Sequence, residues 1–269
     1  MTRMPTYFIS HGGGPWPYME DMRARMRVLE EALQDMPRQV GTTPSAVLVI
    51  SGHWEEADFA VMSHAKPPMV YDYSGFPAHT YEVVYPAPGA PALAQRIESL
   101  IHAAGLPSHL DPHRGFDHGT FAPLVVMYPD AQVPVLQVAL KAGLDPAIHI
   151  ALGRALAPLR DEGVLIVGSG QSYHNLRMFG PQARQPSNAF DAWLQDTLLH
   201  SSPEQREARL VNWAQAPSAR MAHPREEHLL PLMVALGAAA GDAATCVYHE
   251  EGIFGGVTAS SFRFDAAAT

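Results

Sequence analysis

Histidine can serve as a metal ligand and as a proton acceptor near neutral pH, and three histidines in this chain follow one local pattern. Tyr7-Phe8-Ile9-Ser10 is a short apolar run ending at His11, with Gly12-Gly13-Gly14-Pro15 beyond it. Ser45 to Ile50 is aliphatic and β-branched without alternation, breaks at Ser51-Gly52 and opens onto His53-Trp54-Glu55-Glu56. Val164-Leu165-Ile166-Val167 gives way to Gly168-Ser169-Gly170, and His174 stands four residues past the last glycine. One histidine past a strand is an ordinary surface or hydrogen-bonded residue. Three of them, each released from an apolar run through a Gly/Ser turn, are candidates for a shared site. The chain holds 14 histidines, so position rather than number carries this reading.

Other chemistries fit the residues less well. His11-Gly12-Gly13-Gly14 matches an oxyanion loop of esterases, but those enzymes also need Gly-x-Ser-x-Gly, which the chain lacks. His-Glu-x-x-His, the helix-borne zinc site, is absent too. His109 and His113 have i,i+4 spacing, yet Pro112 between them argues against a shared helical face. Two further stretches carry candidates. Gly115 to Leu124 puts Asp117-His118 in a turn before an apolar, helix-like run. His223 to Pro231 puts Glu227-His228 at the start of the last long helix. Neighbours on a helix point ~100° apart, so only one of that pair should reach a small ion.

The elements that must position these side chains alternate. Strand-like runs fall near residues 6–10, 45–51, 58–63, 133–139, 163–168 and 243–249, with a last one around 256–264. Helical periodicity appears at about 18–37, 90–104, 145–161, 187–200, 204–215 and 226–240. Asp145-Pro146 reads as an N-cap with proline in the first turn, and Gly237 marks a helix end or a close contact. Alternating elements with wholly apolar strands predict an α/β protein, one domain with a mostly covered central sheet flanked by helices. Ligands of such sheets bind at strand carboxyl ends, where His11, His53 and His174 would converge.

Composition narrows the class. A net charge of −9, with Lys66 and Lys141 the only lysines, argues against nucleic acid and anionic membranes. No run approaches the ~20 apolar residues of a membrane span. No secretory pattern opens the chain, and Cys246 is alone, so disulfides and cysteine-based zinc clusters are not expected. These features predict a soluble, cytoplasmic protein.

Taken in order, FISHGGGP, SGHWE, YDYSGFP with YEVVYPAPG, DHGTFAPL, GSGQSYHNL and HPREEHLLPL resemble the class III extradiol ring-cleavage dioxygenases, in the branch of DOPA 4,5-dioxygenase-like proteins. The resemblance runs through most of the chain and implies one catalytic domain, 1–269. It implies that His11 and His53 bind a mononuclear Fe(2+), with His228 favoured over Glu227 as the third ligand. Zn(2+) accepts such an all-histidine set as well. His174 looks like the active-site base, close enough to the ion to count as a further ligand when substrate is absent. His118 looks like the histidine that faces substrate or dioxygen. The implied partners are a small catecholic substrate and O2, with the ring opened to a semialdehyde. Tyr71, Tyr73, Phe76, His79 and Tyr81 could wall the pocket, and Arg114 or Arg225 could meet a substrate carboxylate. A zinc-dependent hydrolase using the same histidines and a non-catalytic metal-bearing protein are the competing readings.

Overall fold

Residues 3–265 are described by a computed structural model. The strands are β1 (Thr6–Ser10), β2 (Ala46–Glu56), β3 (Phe59–Met62), β4 (Ser108–Asp111), β5 (Val135–Lys141), β6 (Val164–Gly170), β7 (Ala243–Ile253) and β8 (Val257–Asp265). The helices are α1 (Glu20–Arg25), α2 (Arg27–Val40), α3 (Pro91–Ala103), α4 (His118–Met127), α5 (Pro146–Leu156), α6 (Arg184–His200), α7 (Pro203–Val211), α8 (Ala219–Ala222) and α9 (Leu230–Ala239). The strands form one mixed sheet in the order β4-β3-β5-β2-β6-β1-β8-β7. At its centre β5, β2, β6 and β1 run parallel. β1 and β6 are buried along their whole length, as their unbroken apolar runs require. No helix among the described residues is long and apolar enough to cross a membrane.

The end of β6 shows how the two faces are covered. Successive strand residues point to opposite faces. Ser169 bonds to the Gly119 carbonyl on α4. On either side of it, a Cβ on Gly168 would lie 2.2 Å from the Pro231 carbonyl and one on Gly170 2.0 Å from the His228 carbonyl. Thus α4 covers one face and the start of α9 the other, with backbone against backbone. Every residue of α9 is buried, the mark of a helix packed on all sides, here between the sheet and α5. Gly237 is a close contact within that packing: its Cβ would meet the Ile150 carbonyl at 2.1 Å.

Several boundaries differ from the sequence reading. The helix expected over 18–37 is broken at Met26, whose backbone leaves the helical region. β4 was not expected, because Ser-His-Leu-Asp has no apolar run; it is a short edge strand that carries exposed His109 away from the sheet centre. The last long helix begins at Leu230, not at 226, with Pro231 in its first turn. Glu227 and His228 therefore lie in the turn before α9, where backbone constraints differ from those of a helix. β2 does not stop at 51. Its pairing with β5 is lost after Ile50 and resumes at Glu55, so His53 lies in an irregular stretch of strand, freed from the β5 ladder.

The tight contact at Gly168 yields a stability test. Gly168→Ala should cost about 1–3 kcal/mol, as overpacking does, read as a lower urea midpoint with an unchanged slope. An unaltered midpoint would mean that α9 can lift from the sheet without loss.

Candidate active site

His11 follows β1 directly, His53 lies near the end of β2, and His174 lies in the loop after β6. These three strands are adjacent and parallel, so their carboxyl ends meet. His228 is added from the opposite layer, and two backbone bonds fix its turn: the Gln171 amide donates to the His228 carbonyl at 3.0 Å, and the Leu230 amide to the Glu226 carbonyl at 3.0 Å. His118 opens α4. His11 is 1% exposed and His228 3%.

The ring nitrogens form a chain of close contacts. His11 Nε2 lies 3.2 Å from His53 Nε2, and His53 Nε2 lies 3.1 Å from His228 Nε2. Each of these rings is held from behind at Nδ1. Ser169 Oγ donates to the Gly119 carbonyl and accepts from His11 Nδ1 at 3.0 Å. His53 Nδ1 lies 3.3 Å from Asp72 Oδ2. His228 Nδ1 lies 3.0 Å from Glu227 Oε1. The two flanking histidines share the same carboxylates: His118 Nδ1 is 2.9 Å from Asp72 Oδ1, and His174 Nδ1 is 3.3 Å from Glu227 Oε1. The His174 ring stacks on that of His228, with centroids 3.4 Å apart.

Electrostatics set the protonation of this cluster. Burial, reinforced by His53, pushes His11 well below the ordinary histidine range. Burial also lowers His228, outweighing its hydrogen bond to Glu227. His53 is lowered to about 4, by burial and then by His118. Burial opposes ionisation of Asp72, but the His118 hydrogen bond holds it below the usual carboxylate range. Glu227 is likewise opposed by burial and pulled far down by its bonds to His174 and His228. At neutral pH the three rings are therefore neutral and the carboxylates charged. A carboxylate can only accept, so Nδ1 must carry the proton and Nε2 the lone pair. The His53 lone pair then faces those of His11 and His228 at 3.2 and 3.1 Å, contacts that become attractive with a cation among them. Nitrogens ~2.1 Å from one ion stand roughly 3.0–3.4 Å apart at octahedral or tetrahedral angles, so both contacts suit ligands of a metal.

A cavity of about 640 Å³ opens beside these nitrogens, and His118, His174, Tyr73 and Phe76 are on its wall. The other expected wall residues are placed differently. Tyr71 stands behind Tyr73 and donates its hydroxyl to the Val83 carbonyl, Tyr81 packs against both rings, and exposed His79 bonds to the Tyr18 carbonyl. Arg225 reaches the cavity but binds Glu55 at 2.5 Å. Arg114 is turned inward, onto Asp117 at 2.6 Å and over the Trp54 ring. Asp117, next to His118 in sequence, accepts from Ser51 and Gln137, and His118 is held by Asp72 instead.

Sequence reasoning missed Asp72 and Ser169. An aspartate inside the aromatic block Tyr71 to Tyr73 was the available signal, because a carboxylate among apolar neighbours needs a partner. Nothing local marked Ser169, whose role depends on His11 and Gly119 from distant segments.

Residues 5–265 match the family model described as the catalytic LigB subunit of aromatic ring-opening dioxygenase. The chain is similar to a 4,5-DOPA dioxygenase extradiol of Beta vulgaris, 38% identical over 266 residues and covering 96% of each chain. It is also 38% identical over 242 residues to a 4,5-DOPA dioxygenase extradiol of Escherichia coli, covering 88% of this chain and 86% of that one. Its fold is similar to the crystal structure of an uncharacterized Escherichia coli protein, with a TM-score of 0.79, 31% identity, and coverage of 98% of this chain and 100% of the other. A histidine cluster built for a metal, at the carboxyl ends of a shared α/β sheet, accords with these likenesses, and the chain belongs to the LigB family of aromatic ring-opening dioxygenases.

Proposed function

We propose that the chain is an Fe(II)-dependent extradiol dioxygenase that opens a small catechol to a semialdehyde, with His11, His53 and His228 holding the ion. The observation that carries this reading is the convergence of three Nε2 atoms, each fixed through Nδ1, beside a cavity bearing two further histidines. Three protein ligands leave open positions at an octahedral ion, as non-haem iron oxygenases require. Glu227 supports the choice of His228, because its Oε1 is spent on His228 and His174. Bound there, Fe(II) would offer adjacent positions to two catechol oxygens and to dioxygen, and would make a ring hydroxyl more acidic.

The chain's own residues then bind the ring and move protons. Tyr73 and Phe76 present aromatic faces to a planar substrate. His174, with Nδ1 directed to Glu227, offers Nε2 to accept a proton from a catechol hydroxyl, and the ionised Glu227 stabilises the imidazolium that results. The same proton can return to the oxygen that becomes an acid group when the ring opens. His118 is oriented in the same way by Asp72 and offers Nε2 as a hydrogen-bond acceptor on its side of the cavity. These roles need two histidines outside the ligand set, each held at Nδ1 by a carboxylate.

The metal requirement is tested by exchange. Loading with Fe(II) without air, then adding catechol and oxygen, should consume one O2 per catechol and give a yellow ring-opened product. The Zn(II) form should bind catechol and consume no oxygen, since zinc has no redox chemistry. Oxygen uptake by the zinc form, or none by the iron form, would contradict the proposal.

Ligand and base are separated by two variants. His53→Ala should lose iron and turnover together. His174→Ala should keep most of its iron while its turnover falls ~10²–10⁴-fold, the usual contribution of an acid–base group. Metal content and oxygen uptake after identical loading give the comparison; loss of iron from His174→Ala as complete as from His53→Ala would make His174 chiefly a ligand.

A further inference from the structure

Much of the cavity wall is of a different kind from the histidines. Met22, Met26 and Leu29 come from α1, α2 and the break between them, and Leu176, Phe179 and Phe254 add further apolar surface. Leu176 and Phe254 are among the few large apolar side chains left exposed, at 72% and 37%. Both are on the wall of this one cavity. Phe254 is at the tip of the β7–β8 hairpin with φ +50°, a left-handed backbone that costs any residue other than glycine. The neighbouring Gly255 and Gly256 could take such a conformation freely, yet the strained position carries the aromatic ring. That ring packs on Phe179 with centroids 5.5 Å apart.

Charge on the wall is one-sided. Asp72, Glu227 and Glu250 contribute carboxylates, the last accepting from the Tyr248 hydroxyl at 2.8 Å. Arg225 is the only lysine or arginine on the wall, and its guanidinium is engaged by Glu55 at 2.5 Å and Glu227 at 3.5 Å. A substituent carrying a carboxylate would meet apolar side chains and like charge, with no free cation.

From this the geometry points to a substrate class: catechols whose ring bears an apolar substituent without a carboxylate, seated under Leu176, Phe179 and Phe254. The inference rests on the catechol reading and specifies what the ring carries. A buried methylene is worth about fourfold in affinity, so a four-carbon chain gives ample range for detection. Phe254→Gly is the informative variant, because glycine suits φ +50° and the hairpin should fold at least as well without the ring.

The experiment is anaerobic calorimetry on the Zn(II)-loaded protein, in which binding is read without turnover. The probes are 4-butylcatechol and 3,4-dihydroxyphenylpropionate. Butylcatechol should bind at least about tenfold more tightly than the propionate, and Phe254→Gly should erode most of that preference. Equal or tighter binding of the propionate overturns the inference, as does a preference unchanged by Phe254→Gly. Oxygen uptake by the Fe(II) form is measured alongside. Butylcatechol that binds with the expected preference but is never opened would refute the catalytic reading and leave the substituent assignment standing.

Discussion

A neutral imidazole has one proton and one lone pair, and the atom that accepts the proton's hydrogen bond decides which nitrogen faces the ion. In this chain Ser169, Asp72 and Glu227 make that decision for His11, His53 and His228. Without those acceptors each ring could turn an N–H toward its neighbours. With them, lone pairs face each other at little more than 3 Å, a repulsive arrangement that a cation relieves. The two carboxylates also orient His118 and His174. Under the proposed function, ligand geometry and proton transfer depend on the same oxygens, an economy typical of metal sites in which outer partners fix ligand orientation.

The fold exists around this cluster in a specific sense. Parallel strands β1, β6 and β2 bring three carboxyl ends together, but His228 must come from the layer beyond the sheet. It arrives because glycines at 168 and 170 let the start of α9 lie against β6 with backbone contact. Ser169, pointing the other way between them, reaches both α4 and His11. One three-residue segment, Gly168-Ser169-Gly170, therefore joins both covering layers to the metal end of the site.

Much of this was legible in the sequence, and the limits have physical causes. His11, His53 and His174 could be read because apolar runs ending in Gly/Ser turns are local signals, and strand ends define where ligands bind. The α/β class followed from alternating runs. The boundary at Leu230 was harder, since Leu229, Leu232, Met233 and Leu236 keep helical spacing right up to a turn that is not helical. β4 had no apolar pattern to betray it. Asp72 and Ser169 act through residues far along the chain, as do Met22, Phe179 and Phe254 on the cavity wall, and no local pattern encodes such meetings. Of the aromatic block expected to wall a pocket, Tyr73 and Phe76 reach the cavity, and Tyr71 is held back by its hydroxyl's bond to Val83.

The claim on which the account depends is that acceptors behind the rings, and not merely three nearby histidines, make the metal site. Asp72→Asn tests it directly. The substitution keeps the shape but replaces one of two accepting oxygens with an N–H2 group, so His53 and His118 can no longer both donate to it. An anaerobic competition titration of Fe(II) should find affinity weakened by ~10–100-fold relative to the native chain, as for other outer partners of metal ligands. Native affinity in Asp72→Asn, with the fold intact, would contradict the account.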